Sequence, residues 1–257
     1  MSTATTGPFV QMRGITKHYG MVRAVHNVDL DVGYGEIVAV VGDNGAGKST
    51  LIKILSGAVP GDAGTITVEG LERRLHGPND ARRLGIETIY QDLALLPNLD
   101  VVSNLFLGRE RLAPGVLRYL DVVSRRRMRE EARRQLDELR IKIPRISGTP
   151  VGSLSGGQRQ SVAIARAAAW ASKLMIMDEP TAALGVAQSS AVLELARRVR
   201  ERGTSVVIIS HILPHVLELA DRIVVMRHGE KVADVPGDGV TQDELIELIV
   251  GFKRRVA

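Results

Sequence analysis

The sequence predicts an α/β fold with a mixed, mainly parallel sheet core, a β-rich start and an inserted helical segment. Three observations carry this. Ile37–Val41, Leu174–Met177 and Val206–Ile209 are continuous aliphatic runs, as strands covered on both faces require. Helix-patterned stretches separate them. From about Leu93 to Val151 the strand-like runs stop and helical spacing takes over. Aromatic residues make up only 3% of the chain, so the core is aliphatic, which suits a parallel sheet.

The first of these strands leads into Gly42-Asp-Asn-Gly-Ala-Gly-Lys-Ser-Thr50, and Leu51–Leu55 continues as a helix. The spacing G-x-x-x-x-G-K-S between strand and helix is that of a phosphate-binding loop, which places the core among the P-loop nucleotide hydrolases. Glycines let the backbone turn its N–H groups toward phosphate oxygens, and the helix adds its positive end. Lys48 can reach the terminal phosphates, and the Ser49 hydroxyl can sit on Mg²⁺.

Residues 9–33 read as short strands on a loose apolar pattern, with Gly33-Tyr-Gly35 as a turn. Tyr19, within this stretch, can stack on a base or half-bury on a strand. Thr65–Val68 and Ile86–Tyr90 read as strands and Asp80–Leu84 as a short helix. Gln91, at a strand end beside the phosphate loop, can complete Mg²⁺ coordination or be an ordinary loop residue. In the helical segment, Val101–Leu107 and Arg125–Leu139 are spaced as helices, with Ser124 as N-cap of the second.

Leu154-Ser-Gly-Gly-Gln158 opens an alanine-rich helix. Ser155 and Gln158 stand at capping-box spacing. Glycine at two early helical positions costs about 1 kcal/mol each against alanine, which argues for a closely approaching ligand at this helix end. The strand through Met177 ends in Asp178-Glu179. An aspartate there can hold Mg²⁺, and the glutamate beside it can orient or activate water. Ser189–Glu201 reads as a helix, and Thr204–Ser210 as a strand ending at His211, which can contact a γ-phosphate or be structural. Arg222–Met226 and Lys231–Ala233 form a strand pair, and Asp243–Val250 a closing amphipathic helix.

The chain has no cysteine, so disulfides and thiolate metal sites are excluded. No apolar run approaches the roughly 20 residues of a membrane span, and no signal peptide is visible. Net charge is +5, with arginines at 73–74, 82–83, 125–127 and 133–134. These clusters read either as a nucleic-acid or anionic-membrane face, or as solvated helix surface. Interleaved Glu130, Glu131, Asp137 and Glu138, and the lack of stacking aromatics, favour the second.

Together these motifs resemble the ATP-binding-cassette family, over nearly the whole chain and in family order. The implied fold is an α/β P-loop NTPase with an N-terminal antiparallel β subdomain and an inserted helical subdomain. One domain spans 8–251, its core 8–92 and 152–251, the helical insertion 93–151, with flexible tails at 1–7 and 252–257. The resemblance implies that two cassettes close head to tail around two ATP molecules. Tyr19 stacks on adenine. Gly42, Asn44, Gly45, Ala46, Gly47, Lys48, Ser49 and Thr50 cradle the phosphates. Ser49, Gln91 and Asp178 serve Mg²⁺, Glu179 handles the attacking water and His211 senses the γ-phosphate. Ser155, Gly156, Gly157 and Gln158 contact the partner's ATP.

Tyr90–Glu110 and Asp178–Gly185 are similar to bacterial monosaccharide-import ATPases. The family usually carries aspartate where Gly185 stands, and uses it across the dimer interface. Glycine here puts that contact in doubt and favours the sugar-importer subgroup. The implied partners are a second, identical ATPase subunit, membrane permease subunits and, indirectly, a periplasmic sugar-binding protein. No nucleic acid is expected, and the implied place is the cytoplasmic face of the inner membrane. Import of another small solute such as an amino acid, and a soluble cassette acting on nucleic acid or the ribosome, are the alternatives.

Overall fold

The computed structural model describes residues 7–90, 93–113, 115, 121–182 and 184–251. Gln91 and the tail residues 1–6 and 252–257 lie outside the described residues. Two sheets are present. The first is antiparallel and orders its strands β2-β1-β4-β5, where β1 is Val10–Tyr19, β2 Val22–Val32, β4 Ala63–Val68 and β5 Leu71–Glu72. The second holds β3 (Ile37–Val41), β6 (Ile86–Ile89), β7 (Leu174–Asp178), β8 (Ser205–Ile209), β9 (Arg222–Arg227) and β10 (Glu230–Pro236), in the order β10-β9-β3-β8-β7-β6. All its neighbours pair in parallel except β9 and β10.

Apart from the edge strand β10, whose residues alternate between exposed and half-buried, the second sheet is buried on both faces, and the period of 2 sorts its side chains into two cores. Ile37, Ala39, Val41, Met175, Met177, Val206 and Ile208 face a helical layer. That layer includes α5 (Gly156–Trp170), α6 (Val186–Glu201), α7 (Leu213–Leu219) and α8 (Gln242–Val250). Val38, Val40, Leu174, Ile176, Val207 and Ile209 face the other way, onto α1 (Lys48–Leu55) and the antiparallel sheet.

The helical segment contains α3 (Val101–Leu105) and α4 (Arg125–Glu138). Its apolar residues, among them Phe106, Met128, Ala132 and Leu136, join the same core as the helical layer. Trp170 at the end of α5 packs edge-on against Phe106, with ring centres 5.8 Å apart, and donates to the Leu105 carbonyl at 3.0 Å.

Several sequence expectations shift. The N-terminal strands are not short: β1 runs for 10 residues and β2 for 11. Register irregularities near Ile15 and Lys17 break the alternation that would have revealed their length. Ser124 stands at the N-cap of α4, but its side chain makes no capping bond. Helix α6 starts at Val186, before Ser189. Helix α2, Pro78–Arg83, begins before Asp80.

Candidate functional site

In an open parallel sheet, groups at the carboxyl ends of the strands share one crevice. The loop after β3, the acids after β7 and His211 after β8 all stand at that edge. The loop requires glycine at two points. At Gly42, φ is 146° and an added Cβ would lie 2.1 Å from the Met226 carbonyl oxygen. At Gly47, φ is 96° and a Cβ would lie 2.3 Å from the Ala24 carbonyl oxygen. Only a residue without Cβ lets the loop press against β9 on one side and β2 on the other. Gly47 then caps α1 with no side-chain bond, so the first amides of α1 have no capping side chain.

Lys48 is buried and folds back over the loop, donating to the carbonyls of Gly42 at 2.7 Å and Asp43 at 2.9 Å. Burial pushes its ammonium pKa down, against the nearby charges of Glu179 and Asp178. Ser49 donates to Asp178 Oδ1 at 3.4 Å. Asp178 is 6% exposed, and burial holds its carboxyl above the ordinary carboxylate range. The Ser49 bond opposes that shift, while the Glu179 charge adds to it. A hydroxyl and a poorly compensated carboxylate at the mouth of a phosphate loop are hard oxygen donors, and suit a cation such as Mg²⁺.

Glu179 adopts a positive φ of 51°, rare for a side chain with a Cβ, while its amide bonds the Ile209 carbonyl at 3.0 Å. The bend ends β7. Its Oε2 is buried and lies 2.8 Å from His211 Nδ1. That contact is close but not aligned as a hydrogen bond, and Oε2 has no other partner among the described residues. His211 is largely exposed, so Glu179 and His211 form a carboxylate–imidazole pair open to the crevice. A pocket of about 340 Å³ runs from Gly42, Asp43 and Asn44 past His211 to Ile246 of α8.

Tyr19 ends β1, half exposed, opposite Val22 of β2. Two residues further along β2 is Ala24, whose carbonyl touches the phosphate loop at Gly47. The Gly45 amide region and Thr50 complete the loop and the first turn of α1.

The Ser155 helix end stands apart. Among the described residues, no hydrogen bond or ion pair joins Ser155–Gln158 to the phosphate loop. The capping box is formed: Ser155 Oγ accepts from the Gln158 amide, and Gln158 Oε1 accepts from the Ser155 amide. The two glycines differ in cause. A Cβ on Gly157 would lie 2.6 Å from Gln188 Cγ, so packing against α6 accounts for it without a ligand. A Cβ on Gly156 would meet only Leu184 at 3.8 Å, an ordinary contact. Gly185 also sits against Gln188, whose Oε1 would be 2.6 Å from its Cβ.

Arg166 on α5 carried no sequence signal. Its guanidinium donates to the carbonyls of Leu93 at 2.9 Å and Ala94 at 2.7 Å. It thereby ties the chain just beyond Gln91 to the helix that Ser155 opens. Burial pushes its pKa down, and no ion-pair partner is present among the described residues.

The fold and this edge define a nucleotide-binding cassette, and comparison agrees. The chain belongs to the ABC transporter family, whose model matches residues 25–182. It is 47% identical over 247 residues to the fructose import ATP-binding protein FrcA of Rhizobium meliloti, covering 96% of this chain and 95% of that one. It is 44% identical to the xylose/arabinose import ATP-binding protein XylG of Sulfolobus acidocaldarius, covering 95% and 94%. A ribose import ATP-binding protein of Chelativorans sp. is 42% identical, but this chain spans only 46% of its length. Among solved structures, the ADP conformation of the cassette MJ1267 matches with TM-score 0.82 and 26% identity, covering 96% of this chain and 100% of that one. A dimeric post-hydrolysis cassette, MJ0796 with ADP and Pi, matches at 0.75 and 26%, covering 90% and 100%.

Proposed function

We propose that this chain is the ATP-hydrolysing subunit of an importer that takes up a monosaccharide through separate membrane subunits. The observation that carries hydrolysis is the convergence of Lys48, Ser49, Asp178, Glu179 and His211 at one sheet edge, with Ser49 3.4 Å from Asp178 and Glu179 2.8 Å from His211. Kinship to fructose and xylose/arabinose import proteins over nearly full length supports the cargo class.

Loop amides and Lys48 hold the phosphates, and Tyr19 stacks on the base. Ser49 and Asp178, with Gln91, would hold Mg²⁺, which would supply positive charge to offset that of the phosphates. Glu179 accepts a hydrogen bond from the attacking water, and His211 orients its carboxylate and contacts the γ-phosphate. The Ser155–Gln158 turn of a second, identical cassette completes the site. Closure and reopening of the pair drive permease subunits at the cytoplasmic membrane face, fed by a sugar-binding protein outside. No described helix is long and apolar enough to cross a membrane.

The test is Glu179→Gln in the complex with its membrane subunits. ATP turnover falls by about 10²–10⁴-fold while ATP binding persists and closed dimers accumulate. Unchanged turnover would overturn the role of Glu179. A sugar ligand on the binding protein that purifies with the complex supports the cargo; an amino-acid ligand overturns it.

A further inference from the structure

The arginines of the helical segment are not all spent on ion pairs. Arg111 pairs with Glu131, and Arg126 with Glu130. On the next face of α4, Arg129 and Arg133 stand one turn apart and line a pocket of about 540 Å³. Arg145, from the loop that Pro144 redirects, closes the pocket from the other side. None of the three has an ion-pair partner among the described residues. The hydrogen bond found for them is Arg129 Nε to Ser147 Oγ at 3.1 Å, which brings a hydroxyl to the rim. Asp137 is the one acid in the lining, and it salt-bridges none of them. The floor is apolar, with Leu136 buried and Ile143 partly so.

Three guanidiniums around a concavity raise the local potential, and low-dielectric walls focus it. Like charges one turn apart on a helix also destabilise it slightly. Both effects are relieved by an anion. Forked N–H donors match phosphate oxygens in pairs, and Ser147 adds a neutral donor. We infer that this pocket is a second anion site, outside the nucleotide crevice, that binds one phosphate group carried by a soluble phosphate ester or by a lipid headgroup. It lies in the helical segment, whose first residues, Leu93 and Ala94, Arg166 of α5 holds through their carbonyls.

The test uses the full chain saturated with a non-hydrolysable MgATP analogue, which fills the phosphate loop through its γ-phosphate position. Inorganic phosphate is titrated by calorimetry. In parallel, vesicles of phosphatidylcholine with phosphatidylglycerol are floated with the protein. Phosphate is expected to bind one site per chain. Arg133→Gln and Arg145→Gln should each weaken it about tenfold, the loss of one charge-assisted bond. Their unliganded Tm should stay level or rise, showing an intact fold, and basal ATP turnover should not change. Arg145→Gln, outside any helix, gives a reading independent of α4. Vesicle binding that phosphate displaces assigns the lipid headgroup; phosphate binding without vesicle binding assigns a soluble ester. Absence of binding in both arms, or binding that both variants retain, overturns the inference.

Discussion

At the residue scale, the site is built from groups that the fold holds in unfavourable states. Asp178 is buried, and its carboxyl is held above its ordinary 3.8 by burial and by Glu179. A carboxyl whose native pKa exceeds its unfolded one binds its proton more tightly when folded. Stability of the nucleotide-free chain therefore falls as pH rises from 3.8 through the native value. Asp178→Asn should remove that fall and raise Tm at neutral pH, while Mg²⁺-dependent turnover is lost. A Tm that drops at neutral pH would show that the carboxylate is well compensated. Gly42 and Gly47 press against the Met226 and Ala24 carbonyls, so alanine at either should destabilise by roughly 1–3 kcal/mol and abolish the rise of Tm with ATP. Chemical denaturation measures the first, and thermal unfolding with and without ATP the second.

At the element scale, the parts most legible in the sequence were those whose pattern is purely local. Strands β3, β7 and β8 are uninterrupted aliphatic runs, buried throughout. The Ser155–Gln158 capping box is read from spacing alone and forms as expected. What was hidden depends on contacts distant in sequence. Helix α7 is only seven residues long and its N-cap, Ile212, makes no side-chain capping bond, so Pro214 in its first turn is the one local signal for it. Helix α6 starts early because its N-cap is Gly185, which offers no side-chain signal. Gly157 read as a ligand's footprint because Gln188, thirty-one positions on, was invisible to it. Arg166 is the same case: two backbone carbonyls, more than seventy positions away, define its place. Arg166→Ala removes two charge-assisted bonds to partly exposed carbonyls, and should cost about 1 kcal/mol of stability. It should also lower the stimulation of turnover by the membrane subunits more than basal turnover. Equal losses in both would make Arg166 merely structural.

At the scale of the whole molecule, the two helix ends that can receive phosphate do not meet. The phosphate loop is fixed by β9 and β2, and the Ser155 helix end by α6. One chain therefore presents two half-sites, and the account requires a second chain to join them. The helical segment shares one core with the rest of the cassette through Phe106, Met128 and Leu136. Leu136→Ala should accordingly destabilise the whole chain by about 2–5 kcal/mol in a single transition, not melt the segment alone. Two separate transitions in calorimetry would contradict that.

Because the chain has no native cysteine, a site shared between two cassettes can be trapped by an engineered disulfide. Asn44→Cys in one population of chains and Ser155→Cys in another, both carrying Glu179→Gln, are mixed and oxidised. The account predicts a disulfide between unlike chains that forms with MgATP and not without nucleotide. Equal cross-linking without nucleotide, or none with MgATP while ATP binding is intact, would contradict a site shared between two cassettes.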